Sequence, residues 1–162
     1  MPEIYTRSLS SVGDGSAVWD FENWVPDAVV LNLGTNDIGS GQYNETEFAG
    51  AYLALCLNIS SAYAVAARGA GVTLFLACGP MSDAYCGGVQ LALGQLQVLI
   101  VESTGVGSKY TSSTQPLPKA AYFLDQTNLG VSLGCCGHPT AADDQIMSLN
   151  GSSVIMESMG WA

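Results

Sequence analysis

The stretch AVVLNLGTND, residues 28 to 37, joins an apolar run directly to a glycine and three polar residues. Its first six residues predict a β-strand covered on both faces, because strands buried in a parallel sheet read as nearly continuous apolar runs. Gly34 permits a sharp exit from this strand, and Asn36 follows at the carboxyl end. Ligands of open α/β sheets bind beyond the carboxyl ends of the strands, so we expect Asn36 to face a binding crevice.

Two further apolar runs, VTLFLA at 72 to 77 and AAYFLD at 120 to 125, also predict buried strands. Apolar residues at helical spacing predict crossover helices over 46 to 68 and 88 to 104. Thr140 opens a last helix with Ile146, Met147 and Leu149 as its apolar contacts, and Asp143 approximates a capping box. The alternation of strands and helices predicts an α/β fold with a parallel sheet and helices on both faces.

The size and composition predict one globular domain over residues 1 to 162. The chain is 48% hydrophobic and 11% charged, which is enough apolar side chain for a core. Fourteen acidic against four basic residues give a net charge of −10, which removes the attraction that nucleic acids and anionic membranes require. We expect neither partner, and we find neither an apolar run of about 20 residues nor a signal-peptide pattern.

The cysteines favour a secretory origin for the full-length protein. Five cysteines are many for a cytosolic domain, and three Asn-X-Ser/Thr triplets, at Asn44, Asn58 and Asn150, are of the glycosylation type. Cys78 and Cys86 bracket a short loop and form a disulfide only if their geometry permits it. Zinc sites usually draw on paired Cys-X-X-Cys spacing, which is lacking here, so we expect no metal and no cofactor.

Two residues are candidates for catalysis. Asn36 can donate its amide to an oxyanion, although Gly, Asn and Asp are also the residues that turns use. The only histidine, His138, follows the last strand and precedes the last helix, where Gly137 and Pro139 fix the backbone. Histidine can serve as a general base near neutral pH. The alternative interpretation is that His138 has a structural role.

The GTND block at 34 to 37 and the GCxxHP block at 134 to 139 together resemble the SGNH (GDSL-type) hydrolases. The segments Met1-Pro2-Glu3, Trp24-Val25-Pro26-Asp27 and Cys78-Gly79-Pro80-Met81 are similar to acetyl xylan esterases of the second carbohydrate esterase family. This resemblance implies a three-layer, flavodoxin-like α/β/α fold and ester hydrolysis through an acyl-enzyme. It also implies that Asn36 is an oxyanion-hole donor and His138 the general base, while Asp37 anchors the loop.

The chain departs from the superfamily pattern at two points. Cys135 stands three residues before the histidine, where most members have an aspartate, but the acetyl xylan esterases also tend to have cysteine there and work with a Ser-His dyad. The nucleophile block Gly-Asp-Ser is not found, and Gly13-Asp14-Gly15-Ser16 follows no apolar strand. We therefore interpret the chain as an N-terminally truncated esterase domain that lacks its first strands.

Loss of those strands has a structural consequence, because the family places its first strand beside the strand at 28 to 33. That strand would present an open edge through which the chain could associate with another chain. Asp125 at the end of the last strand is an alternative partner for His138 or a loop cap. The cluster Trp19, Phe21 and Trp24 is either a sugar-stacking wall or core packing.

The sequence therefore predicts a serine esterase that removes acetyl or other short acyl groups from carbohydrate esters, present without its nucleophile. The alternative is an inactive homologue that binds a glycan or another protein through the same crevice.

Overall fold

The computed structural model describes residues 5–6, 18–39, 41, 43–66, 71–104 and 115–161. Each predicted strand is present, and its ends differ from the prediction by at most two residues. The strands and helices of this part are β1 (Ala28–Leu31), α1 (Thr35–Gly39), α2 (Glu45–Ala66), β2 (Thr73–Cys78), α3 (Cys86–Thr104), β3 (Ala120–Asp125) and α4 (Ala141–Met159). Short 3-10 turns at Phe21–Asn23 and Cys135–Gly137 precede β1 and α4.

The described sheet is parallel and has the strand order β1-β2-β3. Val30 of β1 is in register with Phe75 of β2, and Leu76 of β2 is in register with Phe123 of β3. All six residues of β2 are buried, as expected for a central strand that helices cover on both faces. The carboxyl ends of all three strands consequently lie at one edge of the sheet.

Helices cover the two faces of the sheet. Leu74 and Leu76 on one face of β2 belong to the main core, together with Tyr52 and Ile59 of α2 and Leu96 of α3. Alternate residues of β2 point to the opposite face, where Phe75 and Ala77 form a second cluster with residues of α4. The prediction of a three-layer α/β/α fold is therefore confirmed.

The predicted contacts of α4 are wrong in detail. Ile146 is 39% exposed and Leu149 is 64% exposed, whereas Val154, Ile155 and Met159 pack against the sheet. Gly151 is buried on the inward face of the helix, and a Cβ there would lie 3.8 Å from Leu124 Cδ2 of β3, in ordinary contact. The face that contains Gly151 therefore packs inward, and the face that contains Leu149 is left in solvent.

In the sheet that the structure describes, β1 is an outer strand and pairs only with β2. Val30 at its middle is 47% exposed, although valine in a parallel strand is usually covered.

Within the residues that the structure describes, none of the helices is both long enough and apolar enough to cross a membrane.

Candidate active site

Gly34 controls how the chain leaves β1 and enters α1. Its φ is +132°, and a Cβ at this position would lie 2.5 Å from Cδ2 and 2.6 Å from Cγ of Tyr85. A side chain is therefore excluded both by the backbone conformation and by the aromatic ring. The carbonyl of Gly34 then accepts the backbone N–H groups of Asp37 (3.1 Å) and Ile38 (3.2 Å), which closes the first turn of α1. Asn36 lies exposed in this turn.

The ring against which Gly34 packs is held by a polar network, here called the Tyr85 bridge, of Tyr85, Asn32 and Gly79. The Tyr85 hydroxyl donates to Oδ1 of Asn32 (3.1 Å) and accepts the N–H of Gly79 (3.2 Å), and Nδ2 of Asn32 donates to the Gly79 carbonyl (2.8 Å). Tyr85 is fully buried, so the hydroxyl needs these partners. The bridge joins the segment after β1 to the segment after β2 and supports the turn that carries Asn36.

Sequence reasoning missed the Tyr85 bridge. The one available signal was Asn32, a polar residue inside an otherwise apolar run, which ends β1 at Leu31 instead of Leu33. A disulfide between Cys78 and Cys86 adds a covalent link beside the bridge, with the two Cα atoms 5.4 Å apart. The sequence left the pairing of these two cysteines open, and the structure contains the bond.

His138 lies on a tight turn, residues 134 to 138, that is closed by backbone hydrogen bonds. The Gly134 N–H donates to the His138 carbonyl (2.7 Å), and the His138 N–H donates to the Cys135 carbonyl (3.3 Å). Cys136 adopts φ +60° and Gly137 adopts φ +74°, both in the left-handed region that tight turns use. This segment, the His138 turn, presents the histidine to solvent.

Asp143 of α4 fixes both ends of the loop that contains the His138 turn. Its Oδ1 accepts the N–H of Ser132 (3.0 Å), and its Oδ2 accepts the N–H (2.8 Å) and the hydroxyl (2.7 Å) of Thr140. The predicted capping box is thus present. The same carboxylate also binds Ser132, which precedes the turn that contains His138. Hydrogen bonds from Thr140, and then from Ser132, lower the pKa of Asp143, so the side chain is a stable anionic acceptor at neutral pH.

The structure brings the two predicted site residues together. Asn36 and His138 line one cavity of about 510 Å³ at the carboxyl edge of the sheet. Asp37 also lines this cavity, as do Leu33, Phe48 and other apolar side chains. A cavity of this size that combines apolar side chains with polar groups has the usual character of a small-molecule site.

Tyr52 connects this cavity to the core. It lines the cavity wall from α2, is only 3% exposed, and donates its hydroxyl to the Leu31 carbonyl at 2.9 Å. Burial raises the pKa of Tyr52, so the phenol stays neutral and serves as a fixed donor at the end of β1.

The remaining candidates divide between structural roles and residues outside the described part. Asp125 accepts hydrogen bonds from the N–H (2.8 Å) and the hydroxyl (2.7 Å) of Thr127. These bonds are the ones expected if Asp125 caps the loop. Phe21 packs edge-on against Tyr63 with ring centroids 5.1 Å apart, whereas Trp24 is 65% exposed. Ser16 lies outside the described residues. Among those that are described, no group of His, Cys, Asp and Glu is arranged to hold a metal ion.

Comparison with known proteins identifies relatives of one kind, although no protein-family model matches the chain. The chain is 27% identical over 162 residues to the cellulase/esterase CelE of Acetivibrio thermocellus, covering 99% of this chain and 18% of that protein. It also matches a carbohydrate esterase family 2 enzyme with a carbohydrate-binding domain from Corynascus thermopiles, with 26% identity and a TM-score of 0.67. That match covers 99% of this chain and 45% of the relative.

A family two carbohydrate esterase from Clostridium thermocellum, solved in complex with cellohexaose, has the same fold, with 23% identity and a TM-score of 0.64. It too is matched over 99% of this chain and only 43% of its own length. The chain thus spans less than half of these structural relatives and less than a fifth of the curated one. The resemblance that the two sequence blocks indicated is confirmed: the chain is related to the SGNH-type carbohydrate esterases of the second family and shares their fold.

Proposed function

We propose that the chain carries the general base and one oxyanion donor of an SGNH-type serine esterase that removes acetyl or other short acyl groups from carbohydrates. The observation that carries this proposal is that Asn36 and His138 border one cavity at the carboxyl edge of the sheet. Each is mounted on a turn that the fold holds on both sides, as catalytic groups require. The assignments of the two residues are expectations from their chemistry and their place.

The proposed reaction uses the two residues in sequence. A serine hydroxyl attacks the acyl carbon while His138 accepts its proton, and the Asn36 amide donates to the oxygen that becomes negative. The bond between the acyl carbon and the sugar oxygen then breaks, and His138 returns the proton to that oxygen. Water, deprotonated by His138, finally attacks the acyl-serine; the bond to the serine oxygen breaks, His138 returns the proton to that oxygen, and the carboxylic acid is released.

We further propose that the serine comes from a segment outside these 162 residues. The sequence contains no Gly-Asp-Ser block, and the chain corresponds to less than half of its structural relatives. β1 is the outer strand of the described sheet, which fits a strand whose neighbour is supplied by such a segment. Cys135 in place of the usual acid fits a Ser-His dyad, in which no carboxylate is needed behind the histidine.

An extracellular carbohydrate is the favoured substrate class. The relatives are carbohydrate esterases, and one was solved with a glucan oligosaccharide bound. The net charge of −10 argues against polyanionic substrates. The disulfide between Cys78 and Cys86 fits an oxidising compartment, where such bonds persist.

The test compares the chain alone with the chain supplied with a strand segment that ends in Gly-Asp-Ser, as a fusion or a separate peptide. Hydrolysis of p-nitrophenyl acetate and acetate release from acetylated xylan are measured. We expect activity only with the segment, loss of that activity in His138→Ala, and a decrease of about a hundredfold or more in Asn36→Ala. Asn58→Ala, which alters an exposed asparagine on α2, is the matched control and should leave the rate unchanged.

Each outcome of this test decides one part of the proposal. Full activity of His138→Ala with the segment present would refute the role given to the histidine. Activity of the bare chain would show that the nucleophile lies within the 162 residues, and labelling with a serine-directed phosphonate would then locate it.

A second function is favoured by the missing Gly-Asp-Ser block. An inactive homologue would use the same cavity to bind a glycan or a protein, with the edge of β1 completed by a partner strand. Binding of xylan oligosaccharides by the bare chain, with no hydrolysis after addition of the segment, would support this alternative.

A further inference from the structure

Two neighbouring thiols lie directly before the proposed catalytic base. Cys135 and Cys136 are both exposed, and their Sγ atoms are 3.2 Å apart. The third free cysteine among the described residues, Cys56, is fully buried in α2, and burial raises the pKa of its thiol to about 12. The pair in the His138 turn is therefore the accessible dithiol of the described chain.

The backbone of the turn brings the two sulfurs to the same side. Adjacent residues in an extended chain point their side chains in opposite directions. Here Cys136 adopts φ +60° and ψ +23°, a conformation that residues other than glycine seldom adopt. The contact between the thiols thus occurs together with an unusual backbone conformation at Cys136.

We propose that Cys135 and Cys136 form a reversible disulfide whose formation changes the conformation of the turn that carries His138. Oxidised glutathione, a small disulfide, is the oxidant. One cysteine thiolate attacks it, forming a mixed disulfide and releasing one glutathione, and the second cysteine thiolate displaces the other. One S–S bond is formed and one is broken, and the two electrons and two protons of the cysteines end on two glutathione thiols.

The link to His138 is direct. The Cys135 carbonyl accepts the N–H of His138, and the Gly134 N–H donates to the His138 carbonyl, so the histidine backbone is bonded to the residues that the disulfide would constrain. The bond closes a small ring through the peptide between the two cysteines, which is a strained arrangement. Strained and exposed disulfides are readily reduced, unlike the disulfide between Cys78 and Cys86, whose first cysteine is fully buried.

The distribution of basic residues allows a direct test by mass spectrometry. Trypsin cleaves after Arg7, Arg68, Lys109 and Lys119, so the peptide 120–162 contains Cys135 and Cys136 and no other cysteine. Cys56 falls in the peptide 8–68, and the buried disulfide falls in 69–109. The folded chain is equilibrated with reduced or oxidised glutathione, alkylated, unfolded, and labelled again with a heavier reagent.

We expect peptide 120–162 to carry two light alkyl groups in the reduced sample. After oxidation the peptide should carry no alkyl group and should be two hydrogen atoms lighter than the unalkylated dithiol peptide. Treatment with mild dithiothreitol before alkylation should restore both light groups. Cys56 should take up only the heavy label. Stable glutathione adducts on one cysteine, a dimer of this peptide, or two reactive thiols after oxidation would each overturn the proposal.

A second measurement tests the effect on the histidine without any enzymatic assay. His138 is the only histidine, so its Hε1 proton gives a single signal in the NMR spectrum. We expect this signal to shift when the disulfide forms, and to stay in place when Cys136→Ser is treated with oxidised glutathione. Disulfide formation with no shift of the signal would refute the coupling to His138.

Discussion

Replacement of Gly34 by alanine tests how the turn that carries Asn36 is built. The φ of +132° places the residue in a region that side chains rarely occupy, which costs of order 1–3 kcal/mol for alanine. The new Cβ would also lie 2.5 Å from the Tyr85 ring and 3.0 Å from Cζ of Phe48. Displacing a buried ring in a packed core costs typically about 1–3 kcal/mol more.

The two effects predict a loss of about 2–6 kcal/mol in the free energy of unfolding for Gly34→Ala. For a chain of this size, that loss lowers Tm by roughly 5–20 °C. Urea unfolding followed by far-UV circular dichroism measures the free energy, and a thermal scan measures Tm.

Gly50→Ala is the matched control for this prediction. Gly50 lies exposed within α2, and a Cβ there would meet no atom within 4 Å. Alanine is the better helix former, so this variant should be more stable by about 0.8–1 kcal/mol. A change below about 0.5 kcal/mol for Gly34→Ala, the range of an ordinary surface substitution, would refute the argument from the Tyr85 contact.

Three other variants test the supports of the site. Tyr85→Phe leaves the buried N–H of Gly79 without its partner and should cost about 1–3 kcal/mol in urea unfolding; an unchanged midpoint would contradict this. Replacing Cys78 and Cys86 together by serine should cost about 2–3 kcal/mol for so short a loop, and reductant should then no longer lower Tm. Asp143 has a lowered pKa in the fold, so its contribution is present above about pH 3.9 and is lost as the pH falls through its folded pKa. Asp143→Asn should therefore flatten the stability curve in this acidic range, and an unaltered curve would refute the role of the carboxylate.

The strands could be predicted because they are continuous apolar runs between helical patterns. β2 is central and fully buried, and its run of six residues is the clearest of the three. β1 ends earlier than its apolar run, because Asn32 leaves the strand to bond with Gly79 and Tyr85. After β1 the residues Gly34, Asn36 and Asp37 are typical of a turn, but the chain forms the five-residue helix α1 there. Turn-forming residues alone do not reveal this helix.

The site was predictable only in part. The blocks that contain Asn36 and His138 follow strand ends, and parallel strands place such ends at one edge. The Tyr85 bridge was missed because Tyr85 lies 53 residues from Asn32 along the chain, and no local pattern relates the two. The inward face of α4 was misjudged as well, because apolar residues occur on more than one face of this helix: Leu149 is 64% exposed, whereas Val154 and Ile155 pack against the sheet.

The Tyr85 bridge also has a consequence for the local motions of the protein. Gly79 gives its amide hydrogen to Tyr85, and the same tyrosine packs against Gly34, so the segments after β1 and β2 should open in one cooperative event. Deuterium uptake at the Gly79 amide would then report how often the Asn36 turn opens. A ligand bound in the cavity that Asn36 lines should slow this exchange.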